Sequence, residues 1–279
     1  MTGTLLEVDH LEVAYPGPVG AVPVVKGVSF DLGREKLAVV GESGSGKTTV
    51  GRALLRLLPR HSQVSARTLR FDGVDLLSAS ESQMSQLRGQ RLSMIMQDPK
   101  YSLNPVMAVG AQIGEAVQRA GSVGRAECRD RVEQLLARVH IREPGRVARQ
   151  YPHQLSGGMG QRVMIAMMLA QKPRLLIADE PTSALDVSVR QEVLDLLDEL
   201  VAEQGLSLLF ITHDLNLVGR FCDRVLVMYA GRVVEALAAS ELTRARHPYT
   251  QALLSAAPSL QHRRATLPVL QRDPAWSAA

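Results

Sequence analysis

The stretch GESGSGKTT, at residues 41–49, decides how the rest of this chain is interpreted. Its spacing of glycine, four residues, glycine, lysine and threonine predicts a phosphate-binding loop, because small residues let backbone N–H groups close around a polyphosphate. Lys47 is expected to reach the outer phosphates, and Thr48 is expected to offer its hydroxyl to Mg²⁺. The loop follows the apolar run 37–40 and precedes the helix-forming residues 50–58. This context predicts a strand, loop and helix that bind a nucleotide.

A second stretch with exposed backbone N–H groups is LSGGMGQR, at residues 155–162. Its Ser-Gly-Gly turn opens onto an apolar helix that contains residues 164–169. The start of a helix attracts anions, because its first N–H groups have no partner within the helix. One chain is therefore predicted to carry two phosphate-binding surfaces.

Two further apolar runs end in residues that can do chemistry. Residues 175–178 lead into Asp179 and Glu180, and residues 208–212 lead into His213. In an open parallel α/β sheet the ligand lies beyond the carboxyl ends of the strands, so these endings are expected to converge with the phosphate-binding loop. Asp179 is predicted to hold magnesium through a water, and Glu180 to orient or deprotonate an attacking water. The alternative is three unrelated buried strands.

Bulk properties exclude several other classes of protein. The chain has 279 residues, 46% of them hydrophobic, and its longest apolar runs fall short of the roughly 18 residues that a membrane helix requires. The first residues have no secretion signal, so we expect a cytoplasmic location. Cys128 and Cys222 are isolated, which argues against a disulfide, zinc or iron–sulfur framework. The net charge of +4 is dispersed, which favours a solvated surface over a nucleic-acid site.

The pattern of the remaining chain predicts an α/β fold with separate parts. Residues 5–14, 24–32 and 69–71 alternate like strands between glycines and prolines and predict a small antiparallel sheet. Residues 105–154 are rich in helix-forming residues, and residues 225–235 read as a hairpin around Tyr-Ala-Gly. No structure is predicted beyond about Leu260.

Together these motifs resemble the ATP-binding cassette (ABC) family, and the resemblance spans nearly the whole chain. The matching positions, in chain order, are Tyr15 for the aromatic residue that stacks on adenine; Gly41, Glu42, Ser43, Gly44, Ser45, Gly46, Lys47, Thr48 and Thr49 for the ATP-binding Walker A loop; Gln97 for the Q-loop; Ser156, Gly157 and Gly158 for the signature turn; Asp179 and Glu180 for the Walker B strand; Asp186 for the D-loop; and His213 for the switch histidine. Seven motifs in the family's order make the match specific.

The resemblance implies a P-loop NTPase fold with a RecA-like core, an antiparallel β subdomain and a helical subdomain. The ATPase domain is expected at residues 1–245, the helical subdomain at about 105–172 and a C-terminal tail at 246–279.

The resemblance also implies ATP and Mg²⁺ as cofactors. Glu180, Gln97 and His213 are expected to act in catalysis. Thr48, Gln97 and Asp179 are expected to bind the metal. Simpler interpretations stay open for three residues: Gln97 as a turn residue, His213 as a core histidine and Tyr15 as a packing aromatic. The signature departs from the common pattern at Met159 and Gly160.

The resemblance further implies a head-to-tail dimer, in which ATP on one chain's Walker A loop is covered by the other chain's signature turn. Four stretches are similar to the ATPases of dipeptide, oligopeptide and nickel importers. They are QDPKYSLNP at 97–105, YPHQLSGGM at 151–159, VMIAMMLAQKP at 163–173 and RHPYTQALLSAAPSL at 246–260. Such importers imply an extracytoplasmic solute-binding protein, two transmembrane permease subunits and a second, unlike ATPase. The VMIAMM segment is more similar to the first of the two ATPases.

These similarities imply a peripheral protein on the cytoplasmic face of the inner membrane, with no nucleic acid among its partners. The permease contact is expected near Tyr101 to Val109. Some relatives carry an iron–sulfur cluster after the HPYT sequence, but no cysteine follows Cys222 here, so no cluster is expected. A nickel or metal-chelate importer remains a close rival, and a soluble ABC ATPase acting on nucleic acid or the ribosome remains a distant one.

Overall fold

The structure is a computed structural model that describes residues 3–96, 102–183, 185–256 and 273–277. It divides into two compact units. The first, the loop unit, combines residues 1–80 with residues 207–279, and the second, the signature unit, contains residues 81–206. Residues 207–256 and 273–277 thus belong to the unit that contains the phosphate-binding loop.

Both units contain helices and strands. The loop unit begins with β1 (Leu6–Gly17), β2 (Gly20–Leu32), β3 (Lys36–Val40), α1 (Lys47–Leu54), β4 (Gln63–Ser65), β5 (Thr68–Phe71) and β6 (Val74–Asp75). The signature unit contains α2 (Glu81–Gln90), β7 (Leu92–Ile95), α3 (Val109–Ala120), α4 (Arg125–Arg138), α5 (Pro144–Val147), a 3₁₀ turn (Pro152–Gln154), α6 (Gly157–Leu169), β8 (Leu175–Asp179) and α7 (Val187–Gln204). The loop unit resumes with β9 (Ser207–Thr212), α8 (Leu215–Phe221), β10 (Arg224–Tyr229), β11 (Arg232–Ala238), a 3₁₀ helix (Ala239–Arg244), α9 (Pro248–Ala256) and a final 3₁₀ turn (Pro274–Ser277).

The predicted antiparallel sheet is confirmed, and its first two strands are longer than the sequence indicated. β1 pairs with β2, β4 and β5, and β5 pairs with β6. Leu6 and Val8, at even-numbered positions, are buried, and so are Leu11 and Val13, at odd-numbered positions. The alternation of buried and exposed residues therefore shifts by one position between Val8 and Leu11. A bulge between Val8 and Leu11, with His10 at φ 54°, absorbs that shift and keeps both pairs on the core side.

Parallel strands form the centre of the loop unit. β3 pairs in parallel with β9 on one side and with β10 on the other, and β11 closes the hairpin with β10. All five residues of the run LLFIT in β9 are buried, as expected for a strand covered on both faces. Val40 is paired with Thr212, so the loop after β3 and His213 after β9 leave the same edge of the sheet. Convergence of these two endings is confirmed.

The signature unit contains the predicted helices. α3, α4 and α5 occupy the segment predicted to be helical, and β8 pairs in parallel with β7. α6 begins directly after Ser156, as the sequence indicated. Its Met164 is fully buried, while Met167 and Met168 are half-buried.

The helix predicted at residues 50–58 lies earlier in the chain, so that boundary was wrong. α1 begins at Lys47 because Gly46, at φ 100°, lets the loop turn directly into the helix. It ends at Leu54, and Arg56 adopts φ 51° with its N–H bonded to the carbonyl of Ala53. A left-handed residue at this point stops the helix from continuing.

Both cysteines are free thiols. Cys128 is buried in α4, and Cys222 follows the end of α8. Burial, opposed by Lys36 and assisted by Asp223, raises the pKa of the Cys222 thiol to about 12. The thiol is therefore protonated and weakly nucleophilic at neutral pH. Among the described residues, no helix is both long and apolar enough to cross a bilayer.

Candidate nucleotide-binding and hydrolysis site

The phosphate-binding loop is packed closely against neighbouring backbone. A Cβ atom on Gly41, which has φ 150°, would lie 2.1 Å from the carbonyl oxygen of Met228. A Cβ on Gly46 would lie 3.0 Å from the carbonyl oxygen of Val24. The carbonyl of Ser45 accepts a hydrogen bond of 3.1 Å from the N–H of Gly231, in the β10–β11 turn. The spacing of glycines in the motif thus follows from contacts with β10 and β2 as well as from the loop's own curvature.

Lys47 is buried within this loop, with 6% of its surface exposed. Its ammonium group donates to the carbonyl oxygens of Gly41 and Glu42, each at 2.8 Å, and lies 3.4 Å from Ser45 Oγ. Ser43 and Gly44 are exposed at the tip of the loop. The loop therefore surrounds one buried positive charge with backbone groups, which is an arrangement suited to a polyphosphate.

Three other predicted residues lie in the same unit. Tyr15, at the end of β1, is half-buried, and its hydroxyl lies 3.1 Å from Thr49 Oγ1. Thr48 is half-buried in the first turn of α1. His213 is exposed beyond β9, and the N–H of the next residue, Asp214, donates to Thr212 Oγ1 at 3.1 Å. The structure thus brings Tyr15 to the phosphate-binding loop by direct contact, and His213 to the same sheet edge.

The acidic pair lies at the end of β8 in the signature unit. Asp179 is buried, whereas Glu180 is half-buried and has φ 46°, a left-handed conformation that is uncommon for a non-glycine residue. The carbonyl of Glu180 accepts hydrogen bonds from the N–H and the hydroxyl of Ser183, at 3.2 and 3.1 Å. Such strained positions are concentrated at functional sites, because the surrounding structure has to hold them in place. This conformation supports a functional role for Glu180.

The signature turn and the D-loop meet within the same unit. Ser156 caps α6 by accepting a hydrogen bond of 3.3 Å from the N–H of Met159. Asp186 caps α7 by accepting from the N–H of Val189 at 2.9 Å and from the hydroxyl of Ser188 at 2.8 Å. These hydrogen bonds, that of Val189 first, lower the pKa of Asp186 below its usual value. A Cβ on Gly158 would lie 2.3 Å from Val189 Cγ1, so the two helix starts are in contact and a larger residue would have to displace the Val189 side chain.

The structure distributes the predicted site residues between the two units. Tyr15, the loop at 41–49 and His213 belong to the loop unit. Asp179, Glu180, Asp186 and the signature turn at 156–158 belong to the signature unit. Gln97 lies outside the described residues, as does Tyr101 at the expected permease contact. The roles of all these residues stay predictions.

Sequence reasoning missed one residue at the phosphate-binding loop. The hydroxyl of Tyr249, in α9, accepts a hydrogen bond of 3.0 Å from the N–H of Glu42. The HPYT sequence at 247–250 was informative about the family but gave no role to its tyrosine. Full burial of Tyr249 next to β10 is a tertiary feature, and only the chain's return to the loop reveals the contact.

Replacing Gly41 by Ala is expected to destabilise the protein strongly. The new methyl group would collide with the carbonyl of Met228, which is backbone and cannot move aside cheaply, so about 3 kcal/mol or more of unfolding free energy should be lost. Urea unfolding would measure it. Gly44→Ala is the matched control, because its φ of 83° is also left-handed but nothing lies within 4 Å. It should cost about 1–2 kcal/mol. Equal losses in the two variants would contradict the steric explanation.

The fold and these residues define a P-loop ATPase in which a Ser-Gly-Gly signature turn accompanies the phosphate-binding loop. The profile of the family described as ABC transporter matches residues 25–183. The chain belongs to the ABC transporter family. It is an ATP-binding and ATP-hydrolysing member, and the expected α/β nucleotide-binding fold is confirmed.

Similar proteins support the finer resemblance. The probable peptide ABC transporter ATP-binding protein y4tR of Sinorhizobium fredii is 47% identical over 257 residues, covering 91% of this chain and 77% of the relative. The oligopeptide transport ATP-binding protein OppD of Bacillus subtilis is 44% identical over 260 residues, covering 92% and 73%. A solved dimeric structure of the ATP-binding cassette MJ0796, in a post-hydrolysis state bound to ADP and Pi, has a TM-score of 0.74 and 25% identity, covering 84% and 98%. The resemblance to peptide-importer ATPases is thus confirmed.

Proposed function

We propose that this chain is the ATP-hydrolysing subunit of a multisubunit transporter that imports peptides across the cytoplasmic membrane. The observation that carries the proposal is the presence, on one chain, of a loop around a buried lysine and of a Ser-Gly-Gly helix start whose Ser156 and Gly157 are exposed. Two relatives that each align with more than nine-tenths of the chain are named as peptide or oligopeptide transport proteins. The site therefore supports ATP hydrolysis, and the relatives make peptide import the transport function that is supported best.

The loop unit would bind the phosphates of ATP. Lys47 supplies a positive charge, and the backbone N–H groups of the loop neutralise phosphate oxygens. Tyr15, already in contact with Thr49, would stack on the adenine. His213 would act at the terminal phosphate from the same edge of the sheet. Each of these residues binds or orients the nucleotide.

The residues proposed for Mg²⁺ fit the ion's chemistry. Thr48 offers a hydroxyl in the first turn of α1, and Asp179 offers a carboxylate at the buried end of β8. Mg²⁺ prefers oxygen ligands and usually uses one or two protein groups together with substrate phosphates. Gln97 is the third proposed ligand. When bound, the ion would neutralise charge on the phosphates.

Hydrolysis would depend on Glu180 as the residue that orients or deprotonates water. The hydroxyl and the N–H of Ser183 donate to the carbonyl of Glu180 and hold its backbone in a left-handed turn. These hydrogen bonds fix the position of Glu180 at the end of β8. A general base contributes about a hundred- to ten-thousandfold to a rate. This step removes the terminal phosphate.

The signature turn would serve a second, unlike ATPase rather than this chain's own nucleotide. Ser156 and Gly157 are exposed, and the first N–H groups of α6 follow them. An anion held there gains from both the N–H groups and the helix dipole. In the head-to-tail arrangement, ATP would join the two subunits and hydrolysis would release them. Asp186, exposed beside the turn, would lie in the same interface.

Replacing Ser156 by Arg is expected to block hydrolysis at the partner's site while leaving this chain's own ATP affinity within about twofold. The long cationic side chain would fill the space in which the partner's phosphate is proposed to bind. The measurements are nucleotide titration of the purified chain and ATPase activity of the assembled pair. Ser65→Arg, on the exposed strand β4, is the matched control for added charge and size. A loss of the chain's own ATP affinity would contradict the assignment.

The transporter would also contain two transmembrane permease subunits and an extracytoplasmic solute-binding protein. This chain would lie peripherally on the cytoplasmic face of the inner membrane, with its permease contact near residues 101–109. Crosslinks from Val106, which is 79% exposed, to the permease subunits would test that surface. Crosslinks that consistently map elsewhere would reject it.

The cargo can be tested by reconstitution. The complete transporter, with its solute-binding protein, is placed in vesicles, and uptake of labelled peptides is compared with uptake of a labelled nickel chelate. ATP-dependent peptide uptake supports the proposal, and uptake of the nickel chelate alone would favour the metal importer. Co-purification with nucleic acid or ribosomes instead of permeases would favour the soluble ATPase.

A further inference from the structure

The peptide group that joins Gly41 to Glu42 is held at both ends by side chains. Its carbonyl oxygen accepts a hydrogen bond from Lys47 Nζ at 2.8 Å. Its N–H donates to the hydroxyl of Tyr249 at 3.0 Å. Because the peptide is planar, with its C=O and N–H pointing in opposite directions, the two contacts together fix the orientation of the plane. The entry of the phosphate-binding loop is thus tied to α9.

Tyr249 itself has little freedom to move. Its side chain is fully buried, and its ring centroid lies 4.5 Å from that of Tyr229 and 5.6 Å from that of Trp276. Tilted aromatic pairs at such distances are stabilising beyond the area they bury. The backbone N–H of Tyr249 donates to His247 Nδ1 at 3.2 Å. The hydroxyl is therefore presented to Glu42 from a rigid position.

The start of α9 is anchored on β11 by Glu235. Its Oε1 atom accepts hydrogen bonds from the N–H groups of Arg246, at 2.7 Å, and His247, at 3.2 Å. Burial acts to raise the pKa of Glu235, but the neighbouring Thr250 side chain and the hydrogen bonds from these two N–H groups outweigh it and hold the pKa below its ordinary value. The carboxylate is therefore charged near neutral pH and fixes the chain directly before Tyr249.

We propose that Tyr249 is a positioning residue for the nucleotide. By holding the N–H of Glu42, it keeps the carbonyl of Gly41 directed at Lys47, and so keeps the lysine and the loop preorganised. Lys47 also donates to the carbonyl of Glu42, so both carbonyls beside this N–H bind the same ammonium group. The inference rests on the proposed binding of ATP phosphates by this loop.

Removing only the hydroxyl should loosen the loop without disturbing the aromatic cluster. In Tyr249→Phe the ring remains, but the N–H of Glu42 loses the Tyr249 hydroxyl, and the peptide is then held only at its carbonyl end, by Lys47. A rotation would turn the carbonyl of Gly41 away from Lys47. ATP would then have to order the loop as it binds. The free energy spent on ordering the loop is subtracted from the free energy of binding, so the affinity for ATP falls.

The test compares Tyr249→Phe with Tyr229→Phe in the full-length chain. Both variants remove one hydroxyl from the same cluster, but the hydroxyl of Tyr229 donates to the carbonyl of Asp273, at 3.2 Å, rather than accepting from the loop. Titration with ATP should give a dissociation constant about tenfold higher for Tyr249→Phe, the cost of one lost hydrogen bond, and one within about twofold of wild type for Tyr229→Phe. In the assembled transporter, KM for ATP should rise for Tyr249→Phe while kcat at saturating ATP stays close to wild type.

Hydrogen exchange supplies a readout that does not require ATP. Amide exchange in residues 41–47 should accelerate in Tyr249→Phe but not in Tyr229→Phe, and the thermal midpoints of the two variants should be similar. ATP affinities that are equal to wild type, or equally reduced in both variants, would overturn the inference. Failure of the proposed phosphate-binding role of this loop is distinguishable, because Lys47→Ala would then bind ATP as tightly as the wild-type chain does.

Discussion

Replacing Glu180 by Gln is expected to reduce ATP turnover by about a hundred- to ten-thousandfold. The amide keeps the size and the left-handed backbone position of the side chain but cannot accept a proton. ATP affinity should be unchanged or higher, since Lys47 and the loop are intact. Bound nucleotide should therefore remain ATP in the variant and become ADP in the wild type. Phosphate release by the assembled transporter and chromatography of bound nucleotide would measure both effects.

Glu241→Gln is a suitable control for this experiment. Glu241 is exposed in the 3₁₀ helix after β11, so the substitution removes the same charge without touching the site. It should leave turnover within about twofold of wild type. Rapid hydrolysis that persists in Glu180→Gln would refute the role assigned to Glu180. A parallel loss of ATP affinity would indicate instead that the turn at the end of β8 has been disturbed.

Replacing Lys47 by Ala is expected to weaken ATP binding by about 30- to 1,000-fold, which corresponds to about 2–4 kcal/mol. The loop would lose its buried positive charge, and the carbonyls of Gly41 and Glu42 would lose their shared donor. A desolvated charge contributes more to binding phosphate than an exposed one does, because water screens it less. Nucleotide titration of the purified chain would measure the loss directly.

The contrast between the two variants is itself informative. Lys47→Ala should lose binding, whereas Glu180→Gln should lose turnover but retain binding. Lys172→Ala, an exposed lysine after α6, is the matched control for the first and should leave ATP affinity within about twofold. ATP affinity that survives in Lys47→Ala would contradict the phosphate-binding role. Thermal unfolding of both lysine variants would show whether the loop still folds.

Most elements near the site could be predicted from the sequence because they depend on local patterns. The run at 37–40 is fully apolar, the run at 208–212 is apolar up to Thr212, and they form β3 and β9. Ser156 before two glycines predicted the start of α6, and its hydroxyl does cap that helix. Short apolar runs and capping residues act over one or two turns of chain, so they can be recognised without knowing the fold.

Other features could not be predicted because they depend on partners that are distant in sequence. The short strands β4 and β6 lack a strong pattern of their own, and they form only because β1 and β5 offer backbone partners. The tip of the β1–β2 hairpin, where Gly17 pairs with Gly20, is rich in glycine and proline and resembles a loop. Pairing with a long neighbouring strand outweighs such weak local preferences.

By itself, the sequence determined the phosphate-binding loop, the signature turn, the order of the motifs and the family, because each follows from residue types at fixed short spacings. Only the tertiary structure decided what holds the loop in place. Glu42 and Tyr249 are separated by 207 positions, and Tyr15 and Thr49 by 34. A hydrogen bond selects its partner by distance and direction in space, and those are set only when β10 and α9 bring the end of the chain back to the loop.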